Sequence, residues 1–256
     1  MRRISSVALN TFRETIRQKL MYLVLVYIGI LLFSVFVLSP LSVGAAKGKI
    51  IIDIGLAGIS IFGVLTVIVV GSSLVHKEID KKAIYTVITR PVSRIEYILG
   101  KFSGIVLALT ILMTALIAVM SVMVLIGRGQ VTVAVFMAAY LSILEMIVMS
   151  AVVIFFSTFT SPILTSFFSL CFFVAGSLSG DLTVFADRYG GTVMRYFSKG
   201  FYYMLPNLKI FNLRHEAVHD LRFNFSDIGL TTLYALIYCG VVLYFANLIF
   251  MRKDFA

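Results

Sequence analysis

Six apolar runs, each long enough to cross a bilayer, divide this chain: Leu20 to Leu38, Ile54 to Val75, Phe102 to Ile126, Val131 to Phe156, Pro162 to Leu178 and Ile228 to Met251. A hydrocarbon core of about 30 Å calls for roughly 17 to 25 helical residues per crossing. The runs are continuously apolar rather than alternating, which points to helices and away from a β-barrel. Hydrophobic residues make up 60% of the 256, only 13% are charged, and mean hydropathy is +1.03. A soluble domain is only about half apolar, so the expected class is an all-α integral membrane protein. It would have an amphipathic segment over 1–19 and a six-helix transmembrane domain over 20–256.

Six crossings place both termini on one side. Five Lys or Arg precede the first run, six lie between the second and third, and two follow the last, thirteen in all. The short loops on the other side hold three, Lys47, Lys49 and Arg128. The positive-inside rule makes the richer side cytoplasmic. The six remaining bases fall in the long loop 179–227, where that rule is weak. Orientation thus explains most of the net charge of +10, together with contact to anionic lipid heads, and no nucleic-acid partner is implied. Within Met1 to Lys19, Ile4, Ala8, Phe12 and Ile16 recur four apart among Arg2, Arg3, Arg13, Arg17 and Lys19, the pattern of a helix lying on the membrane surface. The long basic region and full-length apolar run do not read as a cleaved signal peptide.

The cytoplasmic loop 76–101 contains a charged island, Lys77 to Lys101. Lys77, Lys81, Lys82, Arg90, Arg94 and Lys101 stand there against Glu78, Asp80 and Glu96, while Ile84, Val87 and Ile88 recur at helical spacing. Asp80 can cap a short helix through Thr89. Pro91 ends it, because the residue before proline is pushed out of the α region. Ser93 and Glu96 form a capping-box pattern that restarts a helix into the next apolar run. Helix, turn, helix at a membrane surface reads as a docking surface or as a solvated basic connection.

The extracytoplasmic loop 179–227 has 49 residues and includes the amphiphilic stretch YFSKGFYYMLPNLKIF. Helices dipping into the outer leaflet, or a small exposed cap, are the two expectations. Cys171 and Cys239 fall inside runs, where they act as small apolar residues. Trp is absent, so interface anchoring falls to tyrosines such as Tyr22, Tyr202, Tyr203 and Tyr244. His76, at the end of the second run, reads as an interface residue. Gly100, Gly104 and Ala108 set small residues four apart, which permits close helix approach.

Two further patterns bear on chemistry. Glu145 lies mid-run, where an ionisable side chain costs about 2.5 to 3.5 kcal/mol on insertion scales and should face the bundle interior or water. It is either a functional polar group or a lock between helices. His215-Glu216-Ala217-Val218-His219 is a literal HExxH, which on a helix would set two imidazoles on one face for zinc. A catalytic zinc usually takes three protein ligands, and only Asp220, Asp227 and Asp254 follow as acids. No metal site is therefore expected, with His215 and His219 the weak candidates. No phosphate-cradling G-x-x-x-x-G-K-[ST] occurs, so any use of ATP would fall to another chain.

The segments ALNTFRETIRQK, EIDKKAIYTVITRPVSRIEYILGKF, FFSTFTSP and MLPNLKIFNLR resemble the type-2 ABC transporter permease family, in the branch that includes permeases associated with multicopper enzyme maturation. The likeness covers essentially the whole chain. It implies a non-catalytic six-helix subunit of a bacterial or archaeal cytoplasmic membrane, paired with a second permease subunit and bound to a separate ATPase that carries ATP and Mg. The chain itself would need no cofactor. By the same resemblance, 1–19 is a connecting helix, Ile84 to Thr89 a coupling helix, and loop 179–227, before the last run, forms the re-entrant extracytoplasmic helices. Lys81, Lys82, Arg90, Pro91, Arg94 and Glu96 would then frame the ATPase dock, with Ile84, Val87 and Ile88 as its apolar anchors. Export is the implied direction. An ATPase-independent carrier or channel and an HExxH membrane protease are the alternatives.

Overall fold

The computed structural model describes residues 2–17, 20–38, 46–80, 94–127, 129–189, 205–219 and 224–251. Helix dominates throughout: α1 (Arg2–Arg17), α2 (Leu20–Leu38), α3 (Ala46–Asp80), α4 (Arg94–Ile126), α5 (Val133–Ser157), α6 (Pro162–Tyr189), a 3₁₀ turn (Leu208–Phe211), α7 (Arg214–His219) and α8 (Phe225–Met251). No strand occurs among the described residues.

Among the described residues, five helices are long and apolar enough to cross a membrane: Gly48–Ser72 in α3, Ile95–Ile126 in α4, Val133–Ser157 in α5, Pro162–Gly180 in α6 and Phe225–Met251 in α8. Within α2, Val24–Ser34 is a shorter apolar stretch. The chain is a helical protein built for a bilayer, with several potential crossings. Four helices overrun the apolar runs that announce them. α3 starts at Ala46 rather than Ile54 and continues through Asp80; α4 starts at Arg94 rather than Phe102. α6 extends past Leu178 to Tyr189, and α8 starts at Phe225. Hydropathy marks where lipid begins, whereas a helix continues for as long as its backbone hydrogen bonds and neighbours support it. Asp80 is the last described residue of α3, and the expected helix after it lies outside the described residues.

α3 and α5 form the centre and are the most buried of the five, whereas α6 is the most exposed. Ile59 and Val67 of α3, Ile105 and Met113 of α4, and Val148 and Met149 of α5 are inaccessible and share one core. Lipid tails are as apolar as leucine, so packing rather than water exclusion holds such helices together. α2 joins this core through Tyr27, whose hydroxyl donates to the Gly55 carbonyl of α3 at 3.1 Å. Between α5 and α6 the FFSTFTSP stretch makes a tight turn. Thr158 N–H donates to Phe155 O at 3.2 Å, the Thr160 and Thr165 hydroxyls meet at 2.7 Å, and Pro162 opens α6, a position where its missing N–H costs nothing.

At one end of the bundle α1 lies along α4. Thr11 and Thr15 are fully buried there, and Val7 and Ala8 are half-buried. Gly100 and Gly104 make the approach possible. A Cβ on Gly104 would stand 2.6 Å from the Ala8 carbonyl oxygen and 2.7 Å from Thr11 Cβ, and one on Gly100 would stand 2.7 Å from Val7 Cβ. The small-residue stripe is thus a seat for the amphipathic helix. Of the Ile4, Ala8, Phe12, Ile16 stripe expected to lie on the membrane surface, Ile16 is exposed, as is Leu9. α1 therefore has one face on α4, an exposed apolar edge, and a third face carrying Asn10 and Arg13.

At the opposite end, the 3₁₀ turn and α7 fold back onto the bundle. Leu208 and Phe211 are buried against α5 and α6, the Asn207 N–H donates to the Tyr234 hydroxyl of α8 at 3.2 Å, and α7 rests on α3 and α5. Residues 190–204, which include Tyr202 and Tyr203, lie outside the described residues.

Candidate functional site

Beneath α7 lies a cavity of about 140 Å³ between α3 and α5. Its walls are Leu56, Ala57, Ser60 and Ile61 of α3 and Ala138, Ser142 and Glu145 of α5, and Asn212, Leu213 and Arg214 close it. Spacing explains the composition. Leu56, Ser60 and Ala57, Ile61 are four apart, as are Ala138 and Ser142, and Glu145 follows Ser142 by three, so each set projects from one helix face. Small residues at 57 and 138 leave the void that larger ones would fill.

Glu145 is 6% exposed. Its Oε2 accepts from the Ser60 hydroxyl at 3.4 Å, and no other hydrogen bond to it occurs among the described residues. The expectation that this acid faces the bundle interior is met, and the interior there is a cavity rather than packed side chains. Ser142 donates to its own helix at the Ala138 carbonyl, 2.9 Å away.

The closing edge is an ion pair absent from the sequence reading. Arg214, first residue of α7, donates from Nε to Asp53 Oδ1 at 2.5 Å and from Nη2 to Asp53 Oδ2 at 2.8 Å. This two-pronged geometry is the strong form of the Arg–carboxylate contact. The hydrogen bonds to Asp53 raise the Arg214 pKa above its ordinary value, with desolvation opposing and the Asp53 charge adding. Both side chains remain about 40% exposed, so the pair sits where water reaches it. A signal was available in sequence: Asp53 is an acid on the border of an apolar run, and Arg214 a base inside an amphiphilic stretch. Nothing local joined them.

The HExxH segment forms α7. His215 is exposed, Ala217 is buried against the bundle, and the His219 side chain lies outside the described ones. No group of three or more His, Cys, Asp or Glu capable of holding a metal occurs among the described residues. Glu216 is half-buried, its Oε2 without a hydrogen-bond partner among those residues. What the geometry gives α7 is the position of a cap on the cavity.

Of the proposed docking residues, Lys81, Lys82, Ile84, Val87, Ile88, Arg90 and Pro91 lie outside the described residues, as does Ser93. Arg94 is the first described residue of α4 and Glu96 stands in its first described turn. Lys101 departs from the expectation of a solvated island. It is 2% exposed, with Nζ 5.7 Å from the centre of the Tyr97 ring, which itself stacks on Phe250 at 6.0 Å. α1 and the end of α8 cover this part of α4. Cys171 is exposed and Cys239 buried, both as free thiols. Tyr22 and Tyr244 are exposed. His76 lies within α3, its side chain outside the described ones.

No known protein-family profile matches the chain, and no curated protein does.

Proposed function

We propose that this chain is the membrane-spanning permease subunit of an ATP-driven exporter of the type-2 ABC class, with α2 as the first of six crossings and both termini cytoplasmic. The observation that carries the reading is the seating of α1 on the base of α4. The basic segment 81–93 leaves the end of α3 and re-enters at Arg94, so a partner pressing on it would act on an α1–α4 unit locked at Gly100 and Gly104. The sequence segments that resemble the family support the same assignment, as does the way the 3₁₀ turn and α7, within the loop expected to hold re-entrant helices, fold back onto the bundle.

In this mechanism ATP is hydrolysed by a partner dimer that docks on Ile84, Val87 and Ile88, flanked by Lys81, Lys82, Arg90 and Arg94. Its closure shifts the base of α4 and the end of α3. α3 also carries Asp53 and Ser60, so movement at one end reaches the cavity and its cap at the other. A second permease subunit completes the pathway.

The cavity itself favours one other reading, a carrier working without an ATPase, since a buried acid facing a void is what a carrier needs. Co-expression with candidate ATPases distinguishes the two. The permease reading expects co-purification and vanadate-sensitive hydrolysis that Ile88→Asp uncouples from transport while membrane insertion stays intact. Transport by the chain alone in proteoliposomes, unaffected by Ile88→Asp, would establish the carrier instead.

A further inference from the structure

We infer that the Glu145 cavity is a binding site for a small primary amine, taken up as an ammonium with its charged head against Glu145 and a short apolar tail toward Leu56, Ile61 and Leu213. This rests on the cavity's hydrogen-bond polarity and holds whether or not an ATPase drives the chain.

The deep part of the void offers acceptors. The Ser60 proton is committed to Glu145 Oε2 and the Ser142 proton to the Ala138 carbonyl, leaving both serine oxygens with lone pairs for a ligand. Glu145 Oε1 accepts no hydrogen bond among the described residues. A carboxylate and two hydroxyl oxygens match the three protons of an ammonium group, since each –NH₃⁺ donates three times and accepts none. The donors are kept at the mouth. Arg214 spends Nε and Nη2 on Asp53, and the opposite charges of that pair cancel, so Glu145 sets the sign of the site. An anion entering would find the Arg214 charge already paired with Asp53 and would meet the Glu145 carboxyl group in the same cavity.

Size narrows the ligand further. A void of about 140 Å³ is close to the cavity of about 150 Å³ in another protein that admits benzene, so roughly six non-hydrogen atoms fit. The tail walls are aliphatic, and Ala57 and Ala138 set the width. A neutral amine meeting a protonated Glu145 takes the carboxyl proton and yields the same ammonium–carboxylate pair as the two charged partners would, so atoms and charge balance by either route.

The test uses the full-length chain in lipid nanodiscs with no ATPase present, and radiolabelled n-butylamine as probe against empty nanodiscs. Saturable binding is expected, with 1-butanol and butyrate displacing the probe at least about tenfold less well than unlabelled n-butylamine, as a charge-assisted contact requires. Glu145→Gln keeps the shape and should weaken binding about tenfold or more; Ala138→Leu fills the void and should abolish it. Competition among ligands needs no variant, so misfolding of either mutant leaves the proposal testable. Absence of saturable binding to the wild-type chain, equal displacement by 1-butanol, or unaltered affinity in a monodisperse Glu145→Gln protein would each overturn it. None of these outcomes depends on whether an ATPase co-purifies.

Discussion

Arg214 reaches across 161 residues of sequence to Asp53, and the value of that contact follows from where it sits. Exposed ion pairs contribute about 0.2 to 1 kcal/mol because water screens them and two side chains must be ordered. With both partners about 40% exposed, a double-mutant cycle of Asp53→Asn and Arg214→Gln in detergent unfolding should give a coupling of about 1 kcal/mol or less, with the charge reversal Asp53→Arg/Arg214→Asp recovering part of it. Strict additivity of the two single losses would show that the contact does not hold the cap. Glu145 was legible in the sequence because a lone acid inside an apolar run has few physical explanations. Ser60, Ser142 and Asn212 were not, since serine is unremarkable in such runs and asparagine in a loop, and only the fold places them around one void. The Arg214–Asp53 pair was hidden for the same reason, each residue being an ordinary border charge until α7 folds back.

Among the elements, α1 shows how far periodicity carries. Its amphipathic character was plain from the spacing of Ile4, Ala8, Phe12 and Ile16, whereas the face that packs on α4 is centred on Thr11 and Thr15. Two apolar edges lie close together on the helix, and the choice between them is made by α4, whose glycines admit backbone where a larger residue would not. Gly104→Leu should therefore lift α1. Overpacking of this kind costs about 1 to 3 kcal/mol, and trypsin should cut faster at the exposed Arg13, whereas Gly240→Leu on α8, where an added Cβ meets nothing within 4 Å, should leave the rate unchanged. Equal cleavage in all three proteins would remove the seat. Helix existence was readable from the apolar runs, and helix ends were not. Charged residues such as Arg94 and Asp80 belong to helices that outlast the lipid, and Lys101, a surface charge by composition, is covered by neighbours from distant parts of the chain.

For the molecule as a whole, the proposed topology puts Asn10 on one side of the membrane and Lys49 and Gln130 on the other. Single cysteines at these exposed positions, in a background with Cys171 and Cys239 replaced by serine, should react with a membrane-impermeant thiol reagent from opposite faces of oriented vesicles. Labelling of positions 10 and 49 from the same face would mean that α2 does not cross. The lengths of the apolar helices have a separate consequence. Pro162–Gly180 has 19 residues and Ile95–Ile126 has 32, about 28 Å against 48 Å at the helical rise of 1.5 Å per residue. The 19-residue stretch nearly matches a hydrocarbon core of about 30 Å, whereas the longer helix must tilt or project beyond the acyl chains. α1 is seated on the first turns of that longer helix, covering part of the overhang with protein in place of lipid. Acyl-chain length thereby becomes a mechanical variable of this molecule: thicker membranes submerge the α1 seat, thinner ones expose it, and the tilt of α4 follows.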